Sequence, residues 1–125
     1  NRDKIIKSLI NHPKWKKQFR FIDTPKQISP SFMVFPILLN KKYKNVKVKF
    51  INKIESMGLE TRPIISGSFT NQPASKLFKL NLKNKKFKGA EEIQKLGFVI
   101  GLHTNKITKT KLSFITKTLY LIDRV

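Results

Sequence analysis

Apolar positions along the chain recur with two different periods, and together they predict helices and strands in alternation. Ile5, Ile6, Leu9 and Ile10 fall on one helical stripe with lysines and Arg2 opposite, which predicts an amphipathic helix over residues 1–11. His12-Pro13 ends it, because a residue before proline is pushed out of the helical region. Trp15 and Phe19, four apart, predict one or two more helical turns within residues 14–20. Residues 21–31 hold Asp23, Pro25, Ser29 and Pro30 and read as an irregular loop. The continuous apolar run 32–39 is the best strand of the chain, and its composition predicts burial on both faces. After a basic turn at 40–44, Asn45 is placed to cap a helix carrying Val46, Phe50, Ile54 and Met57, closed by Gly58.

The next stretch, residues 58–73 (GLETRPIISGSFTNQP), breaks that rhythm. Glu60 and Arg62 alternate with Leu59 and Thr61, so on a short strand they share one face. Pro63 stops the strand, Gly67 permits a backbone turn closed to other residues, and a polar loop from Ser68 to Gln72 precedes Pro73. Residues 74–78 predict a single helical turn, and 81–88 a loop rich in lysine and asparagine. Residues 89–96 predict a short helix, with Glu91 and Glu92 near its positive end and Gly97 as its stop. Residues 98–102 form a second apolar strand. Thr108 or Thr110 caps a last helix striped by Leu112, Ile115, Leu119 and Ile122; Lys109 and Lys111 oppose the dipole in its first turn, so that end is expected to fray. The fold class is α+β: a sheet of three or four strands packed against helices.

Composition narrows the chemistry more than the fold. A chain of 125 residues, 39% hydrophobic with ten phenylalanines, has material for one real core despite its charge. It has no cysteine, hence no disulfide and no thiolate metal site. No stretch is long enough to span a bilayer and nothing resembles a signal peptide, so the expectation is a soluble, cytoplasmic domain. The net charge of +20 invites a nucleic-acid-binding reading. Against it, the lysines are spread over nearly every segment and arginine, the preferred bidentate phosphate and base reader, occurs only at Arg2, Arg20, Arg62 and Arg124. A solvated basic surface is the favoured reading of the charge, and a nucleic-acid-binding module the lesser alternative.

No self-contained catalytic set is present, and no metal cluster. His12, just before a proline, reads as structural, whereas His103 follows a buried strand, where chain ends commonly meet ligands. The lysines lie mostly in polar runs, so none stands out as a desolvated Schiff-base former. Glu60 and Arg62 are either a binding pair or an ordinary surface ion pair.

Residues 58–73 resemble the "G-I-E-x-R-P-x-x-x-G-N-x-x-x-Q-P" segment of the DegT/DnrJ/StrS family of sugar aminotransferases, and more specifically its deoxysugar 3-dehydratase branch. Flanking segments agree in order. Asn11-His12-Pro13 with Ser29-Pro30-Ser31-Phe32 and Phe35-Pro36-Ile37 resembles the family's "N-P-S-W-F-G-F-P-I" strand, and residues 90–102 resemble its "A-x-x-I-x-x-x-G-F-x-I-G" helix and strand. The resemblance covers nearly the whole chain, but only the small C-terminal domain of a longer fold-type I enzyme. It implies that residues 1–125 are that domain, with helix 1–11 leading in from a large domain outside this sequence.

What the resemblance implies for chemistry follows residue by residue. The substrate is a nucleotide-linked 4-keto-6-deoxysugar, the cofactor pyridoxal or pyridoxamine phosphate, bound mainly by the large domain. The full-length enzyme is a homodimer serving O-antigen or other lipopolysaccharide sugars, and this piece alone is inactive. The residue that separates 3-dehydration from transamination also belongs to the large domain. Within this chain the motif assigns Glu60, Arg62, Gly67, Ser68, Phe69, Gln72 and His103 to substrate binding, and no catalytic residue. Two departures stand out: Ser68 replaces the usual asparagine, and Leu102 replaces the asparagine that precedes the family's histidine.

Overall fold

The computed structural model describes residues 1–21, 24–65, 67–78, 82 and 86–125. The elements run α1 (Arg2–Ile10), α2 (Trp15–Gln18), β1 (Phe19–Arg20), β2 (Val34–Leu39), α3 (Lys47–Ser56), β3 (Thr61–Arg62), α4 (Ala74–Leu77), α5 (Lys88–Leu96), β4 (Gly97–Gly101) and α6 (Lys109–Leu119). Short 3-10 turns occupy Lys41–Val46, Phe69–Asn71 and Tyr120–Arg124. Ile22, Asp23, Ser66, Lys79, Leu80, Asn81, Lys83, Asn84 and Lys85 lie outside the described residues, and with them parts of the loops expected over 21–31 and 81–88.

Four strands pair antiparallel in the order β1-β2-β4-β3. The two apolar strands are the central pair, in register from Val34 opposite Gly101 to Leu38 opposite Gly97. Strand alternation then gives the sheet two unlike faces. Phe19, Phe35, Ile37, Leu39, Phe98 and Ile100 point one way and are buried against Ile5, Ile6 and Leu9 of α1, Phe50 and Ile54 of α3, and Leu119 of α6. The opposite face carries Val34, Pro36 and Leu38, which are only half-buried. This corrects the expectation that β2 is buried on both sides. An all-apolar run looks the same in sequence whether its second face is covered wholly or in part, and here it is covered in part. Pro36 is tolerated because β1 pairs only with Leu38 and Leu39, leaving β2 an edge at the proline.

Helix ends explain several boundaries. Gly58 takes φ +92°, the Leu59 amide donates to the Ile54 carbonyl at 3.0 Å, and the Gly58 amide donates to that of Glu55 at 2.9 Å. That pairing is the Schellman cap the glycine predicted. Asn45 is not a cap: it lies within the 3-10 turn, and α3 begins after Val46 with no side-chain cap. Thr108 does cap α6, its hydroxyl accepting from the Lys111 amide at 3.2 Å. Phe19 and Arg20, expected in a helical turn, leave α2 to pair with Leu39 and Leu38. Tertiary pairing outweighs the weak preference of a four-residue helix.

The C-terminal turn closes the domain onto its N-terminal part. Asp123 accepts hydrogen bonds from the Tyr43 hydroxyl and the Gln18 amide. Tyr120 stacks on His12 with ring centroids 3.8 Å apart and donates to the Leu9 carbonyl at 3.0 Å. His12 also accepts from the Lys14 amide at 3.2 Å, a structural role. The Tyr43 hydrogen bond holds the Asp123 carboxyl below its ordinary pKa, and burial pushes the Tyr120 phenol up to about 12.

These shifts have opposite signs in pH. A carboxylate depressed in the folded state stabilises above the unfolded pKa of about 3.9, and that stabilisation is lost as pH falls through the folded value. A phenol raised in the folded state stabilises below about pH 10 and loses that contribution as pH rises towards 12. Urea midpoints measured from pH 2 to 11 should therefore fall at both ends. Asp123→Asn should flatten the acid limb; on the alkaline limb it should remove only the part that Asp123 lends to Tyr43, whose pKa is raised by burial and by the Asp123 hydrogen bond, and keep the part due to Tyr120. An unaltered acid limb in that variant would mean that the Asp123 hydrogen bonds to Tyr43 and Gln18 do not stabilise the fold.

Candidate functional site

The α3 cap delivers the chain directly into β3, with Thr61 opposite Ile100 and Arg62 opposite Val99. Thr61 faces inward and donates to Glu55, so Glu60 and Arg62 face outward together. Beside them the half-covered face of the sheet opens into a groove of about 470 Å³. It is lined by Val34, Val99 and Gly101 of the sheet, by Glu60, Arg62 and His103, and by Ile107, Lys111, Phe114 and Ile115. Mostly apolar walls with a few convergent polar groups are the usual character of a small-molecule site.

Within the groove, Arg62 donates from Nε at 3.1 Å and from Nη2 at 2.6 Å, both to Glu60 Oε1. Both side chains remain 75% exposed, so the pair adds little to stability. Its geometry is that of an oriented surface fork; among the described residues the rest of the guanidinium and the second carboxylate oxygen have no further hydrogen-bond partner. His103 brings an imidazole to the same groove from beyond β4.

The glycine loop is built differently. Gly67 takes φ +54°, and a Cβ there would lie 3.2–3.4 Å from the Gln94 side chain. Gln94 Oε1 accepts from the Ser68 amide at 3.0 Å and from the Asn71 side-chain amide at 3.1 Å. One glutamine of α5 therefore holds the loop in place. Its own carbonyl accepts from the Lys47 ammonium at 2.9 Å, and burial lowers the Lys47 pKa. Ser68 is fully buried, with its hydroxyl 2.8 Å from that of Thr70. Phe69 is 42% exposed, its ring 6.4 Å from that of Phe78. Gly67 and Gln72 line a second, smaller pocket of about 230 Å³ with Pro63, Ile64 and Gln94.

The structure thus divides the residues singled out from the sequence. Glu60, Arg62 and His103 share the groove; Gly67 and Gln72 share the pocket beyond Pro63; Ser68 is interior to its loop; and Phe69 lies outside both pockets. Missed from the sequence were Gln94, an unremarkable polar residue on a short helix, and the α6 wall of Lys111 and Phe114. The one signal for the latter was the pair of lysines at the wrong end of a helix dipole. Chemically the groove can bind and orient. Among the described residues no group of three or more His, Asp or Glu side chains could hold a metal ion, and no helix is long and apolar enough to cross a membrane.

No family model and no curated sequence matches the chain. Its fold, however, matches solved structures. An E. coli GDP-4-keto-6-deoxy-D-mannose-3-dehydratase with bound hydrated PLP aligns with TM-score 0.74 at 18% identity. A variant of GDP-4-keto-6-deoxymannose-3-dehydratase (ColD) with bound GDP-perosamine aligns with TM-score 0.77 at 21% identity. A doubly substituted ColD aligns with TM-score 0.71 at 19% identity. Each alignment covers 94% of this chain and 30% of the other, so the chain spans about a third of the length of these enzymes.

Proposed function

We propose that this chain is the small, C-terminal substrate-pocket domain of a B6-dependent enzyme acting on a nucleotide-linked 4-keto-6-deoxysugar. The reaction favoured is 3-dehydration; sugar transamination in the same family is the alternative. The observation that carries this reading is the convergence of Glu60, Arg62 and His103 on one groove, in a fold shared with 3-dehydratases over 94% of the chain. The motif resemblance of residues 58–73 supports the same assignment, and extends it to O-antigen and lipopolysaccharide sugar precursors made in the cytoplasm by a homodimer.

The residues present do not fit covalent capture of the cofactor. Lys47, the lysine whose pKa burial lowers, is tied to the Gln94 carbonyl, and the groove's lysine, Lys111, is exposed. Pyridoxal or pyridoxamine phosphate, an electron sink when bound, would be held by another domain. This chain supplies recognition. Arg62 donates to a phosphate or sugar oxygen, Glu60 orients Arg62 and accepts from a sugar hydroxyl, and His103 contributes a further polar contact. Gln94 holds the glycine loop that carries Gln72.

Titrating isotope-labelled protein with GDP-perosamine should shift resonances of Glu60, Arg62, Gly101 and His103. Arg62→Ala should weaken binding about ten- to a hundredfold, the loss of one hydrogen bond from a charged donor, with the fold retained because the side chain is exposed. No shift at any of these residues would overturn the assignment; equal affinity in the variant would return the Glu60–Arg62 pair to a surface ion pair.

A further inference from the structure

The fork of Arg62 onto one oxygen of Glu60 makes that pair close to neutral as a unit. The groove also holds Lys111, for which no ion pair occurs among the described residues. Lys111 stands in the first turn of α6, a helix with no acidic residue in that turn and with Lys109 beside it. A lysine there opposes the helix dipole, so the fold gains nothing from it. An anion at that place would gain from both the ammonium and the positive end of the helix.

Phe114 follows Lys111 by three residues, which puts both on one face of α6. Phe114 is 39% exposed and lines the groove together with Ile107, Ile115, Val34 and Val99. A flat apolar face left open one turn from an unpaired cation fits a ligand that is planar at one end and anionic at the other. We infer that α6 is the nucleotide anchor of the groove: Lys111 takes the diphosphate and Phe114 takes the base, leaving Glu60, Arg62 and His103 for the sugar. This inference rests on the nucleotide-sugar reading above and adds to it the helix that reads the nucleotide.

Calorimetric titration of the protein with GDP, guanosine and inorganic pyrophosphate tests it. Lys111→Gln should weaken GDP about tenfold and leave guanosine unchanged, while Lys111→Arg should restore GDP binding. Phe114→Ala should weaken GDP and guanosine alike and spare pyrophosphate. Circular dichroism confirms that each variant folds. Wild-type affinity for GDP in Lys111→Gln, with GDP-perosamine still shifting Glu60, Arg62 and His103, would overturn the anchor and leave the substrate reading standing. GDP-perosamine that shifts none of these residues in the wild type would overturn both.

Discussion

Phe50→Ala should cost about 3–5 kcal/mol of stability, the usual range for emptying a large aromatic site in a core. Phe50 is fully buried, its ring 6.5 Å from Phe19 and 6.1 Å from Phe98, so it joins α3 to an edge strand and a central strand at once. The surrounding groups cannot collapse easily into the space. Phe19 is pinned by pairing with Leu39, and Phe98 by pairing with Ile37. Domains of this size hold about 5–15 kcal/mol in all, so a large share of the margin would go. Urea unfolding should show a lower midpoint at an unchanged slope. A loss under about 1 kcal/mol would mean that α3 packs more loosely on the sheet than the ring contacts imply.

The second large effect separates two glycines at opposite ends of β4. At Gly97 a Cβ would lie 2.6 Å from the Ile93 carbonyl oxygen and 2.6 Å from Ile64 Cδ1. The isoleucine tip can swing away, but the carbonyl belongs to the last turn of α5 and cannot. Gly97 is required for space and not for an unusual φ; its backbone is extended, and the strand begins where the helix stops. Gly97→Ala should therefore cost about 1–3 kcal/mol, as overpacking does. At Gly101 a Cβ meets nothing within 4 Å, because it enters the open groove. Gly101→Ala should be neutral or stabilise by about 0.4–1 kcal/mol by restricting the unfolded chain. Gly101→Val should fold equally well yet lose GDP-perosamine binding, because the side chain enters the groove that Val34 and Glu60 also line. Thermal unfolding and ligand titration on the three variants would check this. Undiminished binding in Gly101→Val would place the ligand elsewhere.

Much of the architecture was legible from local signals. The stripe of Ile5, Ile6 and Leu9, the run ending at Leu39, the glycine after Met57 and the threonine at 108 each act over a few residues, and each appears where expected. Asn45 failed as a cap because a 3-10 turn had already claimed it. The lost outer cover of β2 failed for another reason: period-two patterning is silent when both parities are apolar.

The candidate site was legible only in part. Residues 58–62 displayed Glu60 and Arg62 on one face, since alternation along a strand is a local property. Which residues would stand opposite them was not local. His103 and Lys111 reach the same groove because β4 pairs with β3 on one side and β2 on the other, a choice made by sheet order across more than forty residues. By itself, then, the sequence determined the longer helices, the two central strands, the basic charge and the outward pair at 60 and 62, but not β1, which it read as helical. Tertiary structure alone decided that β2 keeps one face half-open, that Gln94 holds the glycine loop, and that α6 closes the groove. Short-range geometry is written in spacing; long-range pairing depends on packing that no spacing records.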